Sequence, residues 1–227
     1  LPESEELLIR NLTLENSRTF NVHSSDSRII VDKSSFQNTR GNDEKSNNDG
    51  FVGGRGSKIT NSFLAVNDDI IKIYSADMLV ENVTIKLHSR NSVAFQMGWD
   101  DKPDFNASAT LRNVLVVGAA PSISGKLCEN GFFFNKAGYN KGIFVWSGGD
   151  QPQRRLITLD GFKVKGLEGS YMFSPLCKGW VPTPLFNLWR SDGNLILRGS
   201  NVQVNTPQGS YPNSGGSVNL CGVESSE

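Results

Sequence analysis

The sequence predicts an all-β chain that winds as a parallel β-helix of about seven coils, with long loops inserted between some strands. Three observations carry this. A short unit recurs, made of alternating apolar residues, then Asn, Asp or Gly, then a second apolar pair. Its turn residues at positions 11, 32, 61, 82 and 113 are 21, 29, 21 and 31 apart. No segment sustains a period near 3.6, so helix is not expected. A minimum spacing near twenty, with insertions, is what a stack of coils produces, because each coil returns to lie on the last. A β-sandwich also gives short strands and frequent turns, and is the competing architecture.

In chain order, the unit appears as Leu8-Ile9-Arg10-Asn11-Leu12-Thr13-Leu14, as Ile30-Val31-Asp32 and as Ile59-Thr60-Asn61-Ser62-Phe63. It continues as Leu79-Val80-Glu81-Asn82-Val83-Thr84-Ile85 and Leu111-Arg112-Asn113-Val114-Leu115-Val116. The last copies are Ile157-Thr158-Leu159-Asp160-Gly161-Phe162 and Leu195-Ile196-Leu197-Arg198-Gly199. Polar and Gly-rich residues mark loops at 39–56 and 100–106. Residues 121–155 form a long insertion whose Phe132-Phe133-Phe134 and Phe144-Val145-Trp146 imply extra strands. Residues 175–184 are another excursion. The expected division is one β-helix domain over 1–206 and an extended or poorly ordered tail over 207–227.

The 23 basic and 23 acidic residues cancel, so no nucleic-acid partner is expected. No apolar run reaches the ~20 residues of a membrane span, and no membrane partner is expected. The chain starts at Leu1-Pro2-Glu3-Ser4 without Met or a leader pattern, as expected of a processed product or part of something longer. Cys128, Cys177 and Cys221 allow one disulfide and leave one thiol; they are too scattered for a zinc site. Three glycosylation sequons begin at Asn11, Asn82 and Asn106. With the cysteines they point to a secreted glycoprotein. Asn11 and Asn82 also fall on turn positions, where a glycan and a buried amide ladder exclude each other.

The residues with most chemistry lie in Val66-Asn67-Asp68-Asp69-Ile70-Ile71-Lys72-Ile73-Tyr74 and, upstream, Asn47-Asn48-Asp49-Gly50. Alternation points Ile71 and Ile73 one way, Lys72 and Tyr74 the other. With coils of about twenty residues, Asp49 and Asp68 occupy equivalent places on neighbouring coils. Three clustered carboxylates raise the pKa of at least one, which suits a general acid, and glycoside hydrolysis needs such an acid with a partner. Asp68 and Asp69 share a cleft only at a coil corner, since adjacent strand residues face opposite ways. Asn-Asp-Asp and Asn-Asp-Gly are also ordinary turn sequences whose side chains cap their own backbone.

Asn67-Asp68-Asp69-Ile70-Ile71-Lys72-Ile73-Tyr74, followed by Gln96-Met97-Gly98-Trp99 and preceded by Asn48-Asp49-Gly50, resembles the core of glycoside hydrolase family 49. That family contains dextranases and isopullulanases. The likeness runs from about Asn47 to Trp99, with Asn48 where the family tends to have Thr. It implies a right-handed parallel β-helix and inverting hydrolysis of an α-glucan such as dextran or pullulan. Asp68 is then the general acid, with Asp49 and Asp69 activating water. Lys72 and Tyr74 are expected beside the acids, in contact with substrate, and Trp99 as a sugar platform or as packing between coils. The family's N-terminal sandwich has no counterpart here, so a partner chain or missing segment is expected to cap the first coil. No metal and no organic cofactor is indicated. His23 and His88 are isolated and read as surface or supporting residues. The rival reading is a structural or glycan-binding β-helix subunit of an extracellular assembly.

Overall fold

The computed structural model describes residues 6–39, 48–87, 92–97, 106–118, 143–147, 154–165, 171–174, 179–182, 186–189, 194–204 and 218–219. His88, Trp99 and the three cysteines lie outside them. Every regular element among the described residues is a strand. They form a twelve-stranded sheet, a seven-stranded sheet and one antiparallel pair, Tyr171–Ser174 with Gly179–Pro182. All pairings in the two large sheets are parallel, so the protein is all-β with parallel sheets.

Register shows why the apolar positions recur. Along the long sheet Ile9, Val31, Ile59, Val80, Leu111 and Leu159 lie in one row. A second row in that sheet is Leu14, Phe36, Leu64, Ile85, Val116 and Val164. The seven-stranded sheet contributes Val22, Phe51, Ile71, Phe95 and Phe144. All three rows meet in one apolar core, where the Phe95 and Phe144 rings stack at 4.9 Å. Burying each such side chain contributes roughly 1.5–3 kcal/mol, so the rows supply most of the cohesion between successive strands.

The corner between the first two rows is set by backbone conformation. Asn11, Lys33, Asn61, Asn82, Asn113, Gly161 and Asn201 all have φ between 49° and 67°. Asparagine and glycine tolerate this left-handed conformation best, which explains the turn residues of the repeat. The second such position is Lys33 and not its neighbour Asp32, as the repeat alone suggested. Amides bridge the rungs: Asn113 Nδ2 donates to Asn82 Oδ1 (2.8 Å), Asn82 Nδ2 to Asn61 Oδ1 (3.2 Å) and Asn61 Nδ2 to Asp32 Oδ1 (2.8 Å). The row is exposed at Asn11, Asn61, Asn82 and Asn113, so the expected conflict between glycan and buried ladder does not arise from burial. Beside it, Arg10 pairs with Asp32, and Arg112 with Glu81 and Asp160. Hydrogen bonds from Asn61, Arg10 and Thr60 hold the Asp32 carboxyl down at about 2.

Two stretches read as loop contain strands. Asp49–Val52 lies inside the expected loop 39–56 and is buried throughout, because Phe51 belongs to the core. Gly50 allows this: a Cβ there would overlap the Ile70 carbonyl on the next strand. Gly179–Pro182 lies within the excursion 175–184. Phe144–Ser147 is a strand inside the insertion 121–155, while Phe132–Phe134 lie outside the described residues. In the tail, Val218–Asn219 pairs in parallel with Phe186 and Asn187.

The ladder yields a first prediction. Asn82→Ala loses two amide hydrogen bonds and places a Cβ residue at φ 55°, and is expected to destabilise the fold by about 2 kcal/mol. Asn82→Gly keeps the backbone freedom and is expected to cost about half as much. Urea unfolding of both variants checks it, and equal losses would refute the conformational part.

Candidate functional site

The chain bends at Asn67 and Asp68 and enters the strand Asp69–Lys72. That bend is the corner that adjacent acids need in order to face one space. The backbone is pinned on both sides: Asp68 N–H donates to Asn48 O (3.1 Å), and Val93 N–H donates to Asp68 O (3.2 Å). The neighbouring strand Asp49–Val52 is fixed in register by Phe51 opposite Ile71 and Val52 opposite Lys72. This offset of twenty makes Asp49 the partner of Asp69. The sequence expectation of Asp49 opposite Asp68 is therefore one residue out; Asn48 holds that place. The correction follows from the bend, which puts Asp68 before the strand begins.

Carboxylate oxygens of Asp49, Asp68 and Asp69 lie within 4.8 Å of one another. Asp49 and Asp69 are buried, while Asp68 is half-buried. Lys72, also buried, joins the first two: its Nζ is 2.9 Å from Asp49 Oδ2 and 3.2 Å from Asp69 Oδ2. The same ammonium lies 5.2 Å from the Phe20 ring centroid and 5.8 Å from that of Tyr74. The three acids are close enough to share a cation, but the Lys72 ammonium already supplies the compensating charge to two of them.

Burial dominates the electrostatics. It pushes the Asp69 carboxyl up to about 6; Lys72 opposes the rise and the Asp49 charge adds to it. Burial also raises Asp49, against Lys72, a backbone N–H from Asp69 and the charge of His23. For Lys72, burial favours the neutral amine, but the Asp69 and Asp49 charges outweigh it and the pKa rises. Among the described residues Asp49 Oδ1 and Asp69 Oδ1 have no hydrogen-bond partner. Two buried acceptors are thus left open beside a half-exposed acid, an arrangement able to hold and deprotonate a water.

The structure brings together Asp49, Asp68, Asp69, Lys72 and Tyr74, with Tyr74 buried beside Lys72. Trp99 lies outside the described residues. Asn11, Asn82 and Asn106 are exposed on the long sheet, away from the strands that carry the acids. Sequence reasoning missed Phe20 and Asn21. Phe20 is in register with Asp49, and Asn21 Nδ2 donates to Asp49 O (2.9 Å). It also gave Asn48 no structural task, yet this fully buried residue donates its amide to Ser17 O (2.6 Å) and to Ser17 Oγ. An amide beside the Asp-Gly pair was the available signal. His23 is exposed, as expected, and its ring packs on Phe20 at 4.4 Å.

Comparison of the chain with protein-family models, with curated proteins and with solved structures returns no match. The chemical reading therefore stands on the arrangement of these side chains and on the motif they occupy.

The charge balance sets a second prediction. The folded pKa of Asp69, about 6, lies above its ordinary value of 3.8, so the folded state holds the proton more tightly. Its contribution to stability is full below about pH 4 and is lost as pH rises towards 6, a change of roughly 3 kcal/mol. Lys72→Met strands both carboxylates and is expected to cost about 3–5 kcal/mol at pH 7. The loss should shrink at pH 4, where Asp69 is neutral. Urea unfolding at the two pH values measures this, and a pH-independent loss would show that packing and not charge is at stake.

Proposed function

We propose that the chain is a right-handed parallel β-helix of about seven coils and a secreted glycoside hydrolase acting on an α-glucan. The observation that carries the activity is the cluster of three carboxylates within 4.8 Å, two of them tied by Lys72. Seven strands in the main path of the long sheet, and three apolar rows in one core, support the coil count. Asp68 is the most accessible acid and the natural proton donor to the glycosidic oxygen. Asp69, with Asp49, takes the proton from water, each offering one open oxygen.

The motif spanning Asn67 to Tyr74, with Asn48-Asp49-Gly50, resembles glycoside hydrolase family 49 and supplies the choice of α-glucan and of inversion. Spacing alone does not select inversion. Carboxyl groups in inverting enzymes stand ~6.5–9.5 Å apart and in retaining ones ~5–5.5 Å, whereas here one oxygen of each acid lies within 4.8 Å of the others, which selects neither outcome. The anomer of the first-formed product decides between them. Leu7, Leu8 and Leu12 are exposed, and among the described residues the strand Glu6–Arg10 is paired on one side only. Both features fit a further segment or partner chain covering this end.

A second reading is favoured by one observation, the near-complete burial of Asp49, Asp69 and Lys72. A buried, mutually neutralising trio is also a structural tie, as in a non-catalytic glycan-binding subunit of an extracellular assembly.

On the catalytic reading, the chain releases reducing ends from dextran or pullulan, and Asp68→Asn lowers turnover by on the order of 10²–10⁴ without loss of fold. The rate should rise with pH through about 6 as Asp69 ionises. Product analysis by ¹H NMR is expected to show the β-anomer first. Absence of turnover on both glucans by the folded wild type favours the structural reading.

A further inference from the structure

We propose that the long sheet carries a second carbohydrate site, independent of the acid cluster, which binds a glycan bearing a carboxylate or sulfate at Lys33. The starting point is an outlier. Along the row of left-handed turn residues, Lys33 is the one position not occupied by Asn or Gly. A lysine at φ 49° is strained, and an asparagine would relieve the strain and extend the amide row between Asn11 and Asn61. Strain held where an easy remedy exists points to a use for the side chain.

The surroundings define that use. Lys33 lines a concavity of about 680 Å³, within the range of ligand sites. Its ammonium is exposed and has no ion-pair or hydrogen-bond partner among the described residues. The Thr13 hydroxyl, on the same lining, also has no partner there. Among the described residues no carboxylate lines the concavity. The nearest acid in sequence, Asp32, is consumed by Arg10, Thr60 and Asn61. Leu12, 44 % exposed, and half-buried Phe63 add apolar surface of the kind that meets the flat face of a pyranose. Polar groups recur at each rung, ~4.8 Å apart, a step close to the length of one sugar in an extended chain. A donor-rich trough that, among the described residues, offers the Lys33 ammonium and no carboxylate selects an acidic sugar over a neutral one.

The test titrates the full chain, by calorimetry, with three probes that are not α-glucans: an oligogalacturonate, a sulfated cello-oligosaccharide and its unsulfated counterpart. At least one acidic probe is expected to bind, with the neutral one about tenfold weaker or more. The arm that binds identifies carboxylate or sulfate as the anion. Lys33→Asn is expected to lower affinity for that probe by about tenfold while raising the thermal midpoint by a few degrees. Hydrolysis of dextran or pullulan should be unchanged in this variant, which separates the proposal from the reading of the acid cluster. Binding unaffected by Lys33→Asn, equal binding of all three probes, or binding of none would overturn it. A variant no more stable than the wild type would remove the argument from strain.

Discussion

The register between two short parallel strands, Asp49–Val52 and Asp69–Lys72, governs everything chemical in this molecule. Phe51 opposite Ile71 is a core pair, and neither can leave the interior without opening a cavity. That pair fixes the offset at twenty residues, and the offset sets Asp49 beside Asp69, with Lys72 between their carboxylates. A slip of one residue would send Phe51 outward and separate the acids. Apolar packing thus enforces an electrostatic arrangement that would not assemble unaided, since two buried carboxylates repel each other.

The trio is expensive to maintain. Taking two carboxylates and an ammonium out of water costs several kcal/mol per ion, and the attraction between them restores only part of it. The elevated Asp69 carboxyl records the remainder. Apolar residues of similar size would hold the two strands together at least as well. The cluster also leaves one oxygen on each buried acid without a partner among the described residues. A purely structural tie would gain by satisfying both. Perturbed acids with open acceptors beside a more exposed carboxyl are what proton transfer requires.

Much of the fold was legible because its corner has a chemical signature. Left-handed backbone selects Asn and Gly, and those residues gave the repeat at 11, 61, 82 and 113. The same logic misplaced one corner, since nothing about a lysine announces φ 49°, and Asp32 next to it looked the better turn residue. Asp49–Val52 was hidden because Asp-Gly reads as a turn, and only two apolar residues follow before Gly53. Asp49, Asp68 and Asp69 were found from their types and approximate spacing. Their register was not, because the bend at Asn67–Asp68 shifts it by one. Phe20 and Asn21 escaped because the connection 38–48 obscures which residue lies opposite Asp49.

The two kinds of connection between the parallel strands bear different constraints, and this places the chemistry. Between the first two rows the connection is the same wherever the strands break: 11–12, 33–34, 61–62, 161–162 and 201–202. Its left-handed residue and the backbone hydrogen bond it donates to the next rung leave no room for insertion. Leading into the seven-stranded sheet, the connections include 16–19, 38–48, 66–68, 88–92 and 119–143. That corner accepts any length, because only the strand after it must return to register. Asp49 and Asp69 each open such a strand, Asp49 after the connection 38–48 and Asp69 after the shortest one, of which Asp68 is the last residue. The strand register can therefore hold carboxylates to within ångströms while the connections before the strands differ in length, a division that favours a reactive site there. At the constant corner only side chains can vary. A functional change there must be made within the left-handed turn itself, and Lys33 is where one side chain departs from the rule.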